Sequence, residues 1–427
     1  MVGFPVTGKR AHIVGFFPVA GQSATASGNS TFTGPVVGII GGGQLSRMTL
    51  QAAIPLSVRL RVLAASADDA AVRAGADARI GDHTSLDDLS EFAAGCDVVT
   101  FDHEHVPGEH IRALEEAGVV VRPGAAALRY AQDKLAMRDR LTELGLPCPR
   151  YRPVATFAEV RDFIKPNGCP VVLKATRGGY DGKGVWVCET AEEAGAVTER
   201  ASAEGVQLIA EEHVPFEREL AALVARSPHR QGAAYPVVET VQVGGVCQEV
   251  LAPAPGLPED RSEEAQRIAL RIASELGVTG LLAVEMFETA RGLLVNELAM
   301  RPHNSGHWTI EGARSSQFEQ HLRAVLDLPL GSPRPAAPRT VMANVFGGSA
   351  DDDYAAVYAR CEHVMAADPG VKLHLYGKDP RPGRKIGHVT ALSDHALAAG
   401  RPAELESLRD RTRRAASYLR WGREDLQ

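Results

Sequence analysis

The sequence predicts a protein of several domains, one with a doubly wound parallel sheet (α/β) and others of the α+β class. The chain has 427 residues, which is more than one ordinary hydrophobic core accommodates. From Val36 onward, β-type runs alternate with amphipathic helical segments, and this alternation is typical of a parallel sheet. After about residue 155, mixed helices, strands and hairpins follow, which indicates α+β domains.

The composition excludes several classes of function. Hydrophobic residues make up 44% of the chain and charged residues 23%, as in soluble globular proteins. The formal net charge of -7 argues against a general nucleic-acid-binding protein, which is usually basic. The six cysteines are scattered, and no apolar run approaches the roughly 18 residues of a membrane span. We therefore expect a cytoplasmic protein without disulfides or a zinc site, and without membrane or nucleic-acid partners.

The N-terminal segments follow the alternating pattern. Residues 1–35 are largely small, polar and unpatterned, so a disordered extension is expected. The stretch PVVGIIGGGQLSRMTLQAA predicts a strand, a glycine turn and a helix, and VRLRVLAA, DVVTFDHEHVP and VVVRP predict further strands. The glycine turn would open a helix N-terminus, where anions bind well. It lacks the full dinucleotide fingerprint, and a tight turn without a ligand explains it equally well.

A long helix and a linker divide the remainder of the chain. YAQDKLAMRDRLTELGLPCPRY predicts one charged amphipathic helix, ended by Gly145 and two prolines. PRPAAPRT predicts a linker. Beyond it, KLHLYGK and KIGHVTAL predict short strands before a charged C-terminal helix.

The stretch VVLKATRGGYDGKGVWV carries a glycine-rich loop between two strands. Lys174 ends the first strand, and four glycines surround a second lysine, Lys183. Glycines let a backbone turn its N–H groups toward a polyphosphate, and the lysines add positive charge. The spacing is not that of a P-loop, so a glycine-rich hairpin with solvated lysines remains the alternative.

The stretch GLLAVEMFETARGLLVNELA predicts a β-hairpin. A three-residue loop, ARG, with Gly292 in the left-handed conformation is a favoured geometry. The pairs that this loop implies are Thr289 with Leu293, Phe287 with Val295, and Glu285 with Glu297.

The last of these pairs predicts a metal site. Like charges directly opposite each other destabilise a sheet, and a divalent cation between Glu285 and Glu297 removes the conflict. Mg²⁺ favours few carboxylates together with substrate phosphates, and Asn296 offers one more oxygen nearby. An exposed edge with solvated glutamates is the alternative, but both runs are too apolar to favour it.

Three more polar stretches lie at strand ends or turns. In AEEHVPFEREL, Glu219 lies five residues past Val214, where a ribose hydroxyl could bind. RPHNSGHW follows the metal carboxylates with an arginine and two histidines, which a capped turn alone does not explain. YGKDPRPGRKIGHV is a basic loop in an acidic protein, which suggests a phosphate monoester as ligand.

Together these stretches resemble the ATP-grasp superfamily, and within it the N5-carboxyaminoimidazole ribonucleotide synthetase family. The matching motifs run in family order from about Val36 to Thr390: GIIGGGQLSRM, FDHEHVP, AQDKLAMRDRL, VVLKATRGGYDGKGVWV, EEHVPFERELA, VNELAMRPHNSGHWT and YGKDPRPGRKIGHV. The glycine loop and the paired carboxylates mark ATP-grasp proteins generally. RPHNSGHW and RPGRKIGH are the specific part of the resemblance.

The resemblance implies an ATP-grasp fold with a biotin-carboxylase-like N-terminal parallel-sheet domain and a small C-terminal β domain. The implied boundaries are residues 36–130 for the N-terminal domain, 131–332 for the ATP-grasp domain with a lid at about 155–214, and 333–427 for the C-terminal domain. The implied activity is that of an ATP-dependent carbon–nitrogen ligase of purine biosynthesis, which carboxylates 5-aminoimidazole ribonucleotide with bicarbonate via carboxyphosphate. ATP and Mg²⁺ are the implied cofactors, and a homodimer is the implied assembly.

By the same resemblance, residues at matching positions take roles in the site. ATP contacts are implied for Lys134, Lys174, Gly179, Tyr180, Asp181, Gly182, Lys183, Gly184, Val185, Glu211, Glu212, His213, Val214, Glu219, Gln242, Asn296 and Glu297. Glu285 and Glu297 would bind Mg²⁺. Contacts to the ribonucleotide are implied for Gln44, Leu45, Glu104, Tyr180, Lys378, Arg381, Arg384 and Lys385. Catalytic roles are implied for Arg301, Asp181, His303 and Asn304, with Asp181 or a histidine of the HNSGH turn as general base.

Three positions depart from the family pattern. Gln242 stands where a nucleotide-contacting histidine is usual, Ser46 replaces a glycine, and Asp102 shortens a glutamate. None of these changes removes a metal ligand or a phosphate lysine, so an active enzyme is expected. Two alternatives remain open: another ATP-grasp ligase, such as a formate-dependent glycinamide ribonucleotide transformylase, or a non-catalytic nucleotide-binding regulator.

Overall fold

The structure, a computed structural model, describes residues 34–179, 182–349, 351–393 and 402–423. The expectation of a disordered extension at residues 1–35 falls almost entirely outside these ranges, and so do the predicted site residues Tyr180 and Asp181. All six cysteines are free thiols. Within the described ranges, no helix combines the length and the apolar character needed to cross a membrane.

The N-terminal domain is built on a parallel sheet with helices on its faces. Its elements are β1 (Val36–Ile40), α1 (Gln44–Ala53), β2 (Arg59–Ala64), α2 (Ala70–Arg73), β3 (Asp77–Ile80), α3 (Leu86–Ala93), β4 (Val98–Phe101), α4 (Gly108–Glu116) and α5 (Ala125–Gln132). The strand order is β3-β2-β1-β4 and every pair is parallel, which confirms the predicted sheet. The predicted strand VVVRP is only a single bridge between Val121 and Val99, whereas β3, with its polar residues, was missed.

The predicted long helix before Gly145 is two helices in the structure. After α5 the chain is extended at Asp133, and α6 (Lys134–Glu143) begins with the Asp133 side chain accepting a hydrogen bond from the Ala136 N–H. An aspartate N-cap satisfies one of the free N–H groups of a helix start, so it favours a new helix here. Lys134 thereby stands in the first turn of a helix rather than in the middle of one.

A four-stranded antiparallel sheet forms the predicted lid. Its elements are β5 (Tyr151–Val154), α7 (Phe157–Asn167), β6 (Val171–Ala175), β7 (Val185–Cys188), α8 (Ala191–Ala203) and β8 (Leu208–Glu212), with strand order β5-β8-β6-β7. Helix α7 begins with a capping box between Thr156 and Glu159. The apolar faces of both helices pack on the sheet, with Val160, Leu173 and Ala210 fully buried between them.

The remaining strands form one nine-stranded sheet. Its elements are β9 (Arg218–Arg226), β10 (Gly232–Ala234), β11 (Val238–Val243), β12 (Val246–Ala252), α9 (Glu259–Glu275), β13 (Gly280–Thr289), β14 (Gly292–Ala299), α10 (Thr309–Gly312), α11 (Gln317–Val325), β15 (Thr340–Phe346), α12 (Tyr354–Ala367), β16 (Lys372–Leu375), β17 (Lys385–Leu392) and α13 (Pro402–Trp421). The strand order is β14-β13-β9-β11-β12-β15-β17-β16, with β10 added beside β9. The C-terminal strands therefore continue the sheet that carries the paired carboxylates, because β15 pairs with β12.

Candidate active site

One cleft of ≈1610 Å³ lies where the three sheets meet. Of the predicted site residues that the structure describes, all line this cleft except Gly184. They come from the ends of β1 and β4, from the start of α6, from the lid, from the β13–β14 hairpin and from the loop between β16 and β17. Residues that are up to 341 positions apart in sequence, from Gln44 to Lys385, therefore surround one space.

The paired carboxylates lie opposite each other, but the register around them differs from the prediction. Glu285 pairs with Glu297, as expected, whereas Thr289 pairs with Gly292 and Phe287 with Leu294. The loop is therefore two residues long, and the predicted pairs of Thr289 with Leu293 and Phe287 with Val295 were wrong. A bulge next to Glu285 shifts the ladder by one residue. The bulge compensates for the shorter loop and restores the carboxylate pair.

The extra residue of the bulge is Asn296. In a regular strand, neighbouring side chains point to opposite faces, so Asn296 and Glu297 could not both face one cleft. Here both line it. Asn296 Oδ1 accepts a hydrogen bond from Lys174 Nζ at 3.0 Å, and Glu297 Oε1 lies 2.9 Å from Lys134 Nζ. The two lysines that are predicted to bind phosphate thus contact the hairpin that is predicted to bind the metal.

Lys174 is anchored by a buried carboxylate. Its Nζ lies 2.7 Å from Glu211 Oε2, and the other oxygen of Glu211 accepts a hydrogen bond from Arg138 Nε at 2.7 Å. Burial alone would raise the pKa of Glu211, but the charges of Arg138 and Lys174 outweigh it and lower the pKa to about 2. The Glu211 side chain therefore holds Lys174 in position, and its contact with adenine stays a prediction.

The residues predicted to contact the ribose lie near two aromatic rings of the cleft lining. Glu219 Oε2 accepts a hydrogen bond from Gln242 Nε2 at 3.2 Å, and burial raises the pKa of Glu219. Phe216 stacks on Phe287 with ring centroids 4.7 Å apart. Both rings line the cleft. They could not be recognised from the sequence as cleft residues, because phenylalanine side chains are usually part of a core. The position of Phe216 just after the EEHV strand end was the available signal.

The glycine loop lies against the turn between β11 and β12. Gly182 has φ +76°, and a Cβ on it would approach the Gly244 carbonyl oxygen to 3.4 Å. A Cβ on Gly179 would lie 2.7 Å from the Lys183 carbonyl oxygen, so a side chain there is excluded. Glycines are thus needed both for the left-handed conformation and for close approach. Tyr180 and Asp181 stay predictions, because the structure does not describe them.

The RPHNSGHW turn places two of its polar residues beside the carboxylates. Arg301 Nε lies 2.9 Å from Glu104 Oε1, and His303 Nε2 lies 3.6 Å from Glu285 Oε1. Burial lowers the pKa of His303 to about 3, so its ring is neutral near pH 7. The Gln317 side chain holds this residue by accepting the His303 N–H at 2.9 Å and donating to the His303 carbonyl at 2.8 Å.

Two other residues of the turn have structural partners. Asn304 and Asn344 exchange side-chain hydrogen bonds at 2.9 and 2.8 Å. His307 is fully buried behind the turn and accepts a hydrogen bond from Gln317 Nε2 at 2.9 Å, so it lies away from the cleft. The sequence could not identify Gln317 or Asn344, since they lie on distant elements.

The basic loop between β16 and β17 contacts the N-terminal domain. Lys378 Nζ donates to Gln44 Oε1 at 2.6 Å, and Arg73 Nη1 donates to the Gly377 carbonyl at 3.1 Å. Arg381, Arg384 and Lys385 line the same part of the cleft. This end of the cleft is therefore positively charged and formed by both ends of the chain.

The predicted anion site at the glycine turn is taken by a carboxylate of the chain itself. Asp102 Oδ2 accepts the Gly43 N–H at 2.5 Å, at the start of α1. A Cβ on Gly43 would lie 2.5 Å from that same oxygen. The turn is thus tight because it packs against Asp102, which favours the alternative without a ligand.

The donor set of the hairpin fits Mg²⁺. Glu285, Glu297 and Asn296 supply carboxylate and amide oxygens on one side of the cleft. Among the residues that the structure describes, no group of three or more histidine, cysteine, aspartate or glutamate side chains could enclose a metal by itself. A site with two carboxylates suits Mg²⁺, which keeps further positions for phosphate oxygens and water.

Comparison with known proteins identifies the class. Residues 139–318 match the ATP-grasp domain, residues 35–132 the ribonucleotide synthetase preATP-grasp domain, and residues 340–401 the phosphoribosylaminoimidazole carboxylase C-terminal domain. The chain is therefore an ATP-grasp enzyme that uses ATP, with the fold that the sequence predicted.

Individual relatives narrow the assignment. The N5-carboxyaminoimidazole ribonucleotide synthase of Mycobacterium tuberculosis is 52% identical over 92% of this chain and 90% of the relative. The N5-carboxyaminoimidazole ribonucleotide synthetase structure from Thermus thermophilus has 40% identity and a TM-score of 0.78, covering 90% of this chain and 99% of that one. The Aspergillus clavatus synthase in complex with ADP and 5-aminoimidazole ribonucleotide has 30% identity and a TM-score of 0.79, with coverages of 90% and 99%. The chain belongs to the N5-carboxyaminoimidazole ribonucleotide synthase family.

Proposed function

We propose that this enzyme carboxylates 5-aminoimidazole ribonucleotide with ATP and bicarbonate, and so acts as an ATP-dependent carbon–nitrogen ligase in purine biosynthesis. The observation that carries the proposal is the meeting of two predicted subsites in one cleft. The carboxylate hairpin with Lys134 and Lys174 lines this cleft, and so do basic residues of the segment 378–385. A glycinamide ribonucleotide transformylase is not favoured, because the C-terminal segment matches the carboxylase family.

The first step forms carboxyphosphate. A bicarbonate oxygen attacks the γ-phosphorus, the bond to the β-phosphate oxygen breaks, and ADP leaves. Lys134 and Lys174 stabilise the charge on the phosphates, and Glu285 and Glu297 would hold Mg²⁺, which supplies further positive charge there. The glycine loop and the lid exclude water, because carboxyphosphate hydrolyses readily.

The second step carboxylates the ribonucleotide. Carboxyphosphate loses phosphate, and the exocyclic amine forms a bond to the carbon and gives up a proton. His303 is a weak base, since the pKa of its buried ring is about 3. An ordinary aspartate is a comparably weak base, so Asp181 and a histidine of the HNSGH turn are both candidates for the proton acceptor. Arg301, held by Glu104, faces the carboxyphosphate region, and the basic loop binds the ribonucleotide phosphate.

We further propose three domains, a homodimeric assembly and a cytoplasmic location. Domain boundaries near residues 130 and 332 are supported by the three matched segments. The resemblance supports a homodimer in the cytoplasm, and six free cysteines suit a reducing compartment.

The decisive experiment measures ADP formation. We expect turnover to require bicarbonate and 5-aminoimidazole ribonucleotide. Glu297→Gln should lower turnover by more than about 100-fold, because Mg²⁺, which would neutralise the reacting phosphates, loses a carboxylate ligand. Its melting temperature should stay near that of the wild type. Glu263→Gln, on the exposed side of α9, is the matched control. Near-normal activity of Glu297→Gln at saturating Mg²⁺, or no response to the ribonucleotide, would contradict the proposal.

A further inference from the structure

Arg138 is a fully buried arginine that lies behind the active site. It stands on α6, one turn after Lys134, so both side chains lie on the same face of the helix. Buried arginines are rare unless they are paired and hydrogen-bonded. The partners of Arg138 therefore indicate its role.

The Arg138 guanidinium contacts three acceptors on two different sheets. Its Nε donates to Glu211 Oε1 at 2.7 Å on the lid strand β8. Its Nη1 donates to the Val295 carbonyl at 3.1 Å, and its Nη2 donates to the Asn296 carbonyl at 2.8 Å. The two carbonyls belong to the bulge of β14, where the ladder to β13 is interrupted. Arg138 thus supplies donors to carbonyl groups at the point where the register shifts.

These contacts close a ring. Glu211 Oε2 contacts Lys174 Nζ at 2.7 Å, and Lys174 Nζ donates to Asn296 Oδ1 at 3.0 Å. The chain of contacts therefore runs from Arg138 through Glu211, Lys174 and Asn296 back to Arg138. It joins a phosphate lysine of the lid to the residue that precedes Glu297. Each member is held by its neighbours, so replacing Arg138 would alter the positions of both Lys174 and Asn296.

The bulge depends on a donor of this shape. Val295 gives its own N–H to the Pro147 carbonyl at 2.8 Å, and the carbonyls of Val295 and Asn296 both accept hydrogen bonds from Arg138 of α6. Buried carbonyls without a donor cost stability, so the ladder would otherwise tend to re-form without the bulge. A planar guanidinium can donate to three acceptors at once in fixed directions, whereas a lysine ammonium is a point charge on a flexible stem.

We propose that Arg138 is a positioning residue for catalysis, which holds the β14 bulge so that Asn296 and Glu297 both face the cleft, and which fixes Lys174 through Glu211. The inference rests on the proposed function, because it takes Glu297 as a metal ligand and Lys174 as a phosphate contact. It predicts that the shape of the Arg138 side chain, and not only its charge, sets metal affinity.

The test compares Arg138→Lys with the wild type and with Arg140→Lys. Arg140 lies on the same helix but is paired with Glu143 at the surface, so its replacement is the matched control. The probe is Mn²⁺ binding in the presence of ADP, measured by electron paramagnetic resonance, together with kcat, KM and the melting temperature. We expect Mn²⁺ affinity to fall roughly 10- to 100-fold in Arg138→Lys, as for other residues that orient metal ligands. The kcat should fall as well, with the KM for the ribonucleotide unchanged.

The outcomes separate this inference from the proposed function. If wild-type protein shows no ADP-dependent Mn²⁺ site, the proposed function is contradicted. If the wild type has the site and Arg138→Lys binds Mn²⁺ as tightly, with only a lower melting temperature, Arg138 has a structural role alone and the inference is overturned. If Arg138→Lys does not fold, the same Mn²⁺ titration is made with Arg138→Gln, which keeps an N–H donor but removes the charge. Loss of the fold in both variants would also overturn the inference, since it would show that the residue is needed for folding.

Discussion

At the scale of single residues, the cations of the site already have partners among its anions and amides. Lys134 contacts Glu297, Lys174 contacts Glu211 and Asn296, and Arg301 contacts Glu104. Three of these four contacts are to groups predicted to bind the metal or ATP: Glu297, Glu211 and Asn296. When ATP and its metal bind, the lysines would exchange their carboxylate and amide partners for phosphates, and Glu297 would exchange Lys134 for the metal. Such an arrangement keeps the side chains near their working positions, which reduces the reorganisation needed for binding.

Glu211 makes this network sensitive to acid. Its pKa is lowered from 4.5 to about 2 in the folded protein, so its stabilising contribution is present above 4.5 and is lost as the pH falls toward 2. A shift of this size corresponds to roughly 3 kcal/mol. We expect the difference in unfolding free energy between the wild type and Glu211→Gln to shrink over that pH interval. Urea unfolding at a series of pH values measures it, with Glu263→Gln as the control. A constant difference down to pH 2 would show that Glu211 is not held ionised by Arg138 and Lys174.

At the scale of secondary-structure elements, the β13–β14 hairpin shows what sequence can and cannot predict. The spacing of Glu285 and Glu297 around a glycine turn predicted their pairing, because both strands are apolar and continuous. The bulge could not be predicted, since it depends on Arg138 from another element. The two errors in the hairpin, a loop that is one residue shorter and a bulge of one residue, cancelled at the carboxylates. The predicted long helix is likewise divided at Asp133, which caps α6. Lys134, in the first turn of α6, then contacts Glu297 of the hairpin.

The C-terminal helix α13 packs on the central sheet through apolar residues and also through one buried carboxylate. Glu249 of β12 is buried and accepts hydrogen bonds from Arg409 and Arg413, which stand one turn apart on α13. Replacing both arginines with methionine would leave a buried charge unpaired, which costs roughly 3 kcal/mol. Urea unfolding should show this loss, whereas Arg414→Met, at an exposed position of the same helix, should not.

Removing the carboxylate as well supplies the internal control for this prediction. Adding Glu249→Leu to the double arginine variant should restore most of the stability, because the unpaired charge is gone. A triple variant as unstable as the double one would mean that the packing of the arginine side chains, rather than the ion pairs, holds α13.

At the scale of the whole molecule, the site depends on segments from both ends of the chain. The C-terminal strands continue the central sheet, and the loop between β16 and β17 then reaches Gln44 and Arg73 of the N-terminal domain. The sequence predicted the basic character of this loop and its distance from the ATP subsite along the chain. It could not predict the contact with Gln44 without the family resemblance, because no local pattern links residues 334 positions apart. Gln317 and Asn344, which support the RPHNSGHW turn, were missed for the same reason.

We predict that the two substrates are bound by different residues of the cleft, and Arg384 tests this division. Arg384 is exposed in the basic loop and lines the same cleft as Lys134 and Lys174. The triphosphate has Lys134 and Lys174 as candidates, so the phosphate of the ribonucleotide remains for the loop. Arg384→Ala should weaken ribonucleotide binding by roughly 1.5–3 kcal/mol, as expected for a lost charge-assisted contact, and leave ADP binding unchanged. Calorimetric titration of each ligand measures both effects, and Arg334→Ala, an exposed arginine of the proline-rich linker, is the control. If ADP affinity falls while ribonucleotide affinity is kept, the loop binds ADP instead, and the assignment of the loop to the ribonucleotide is wrong.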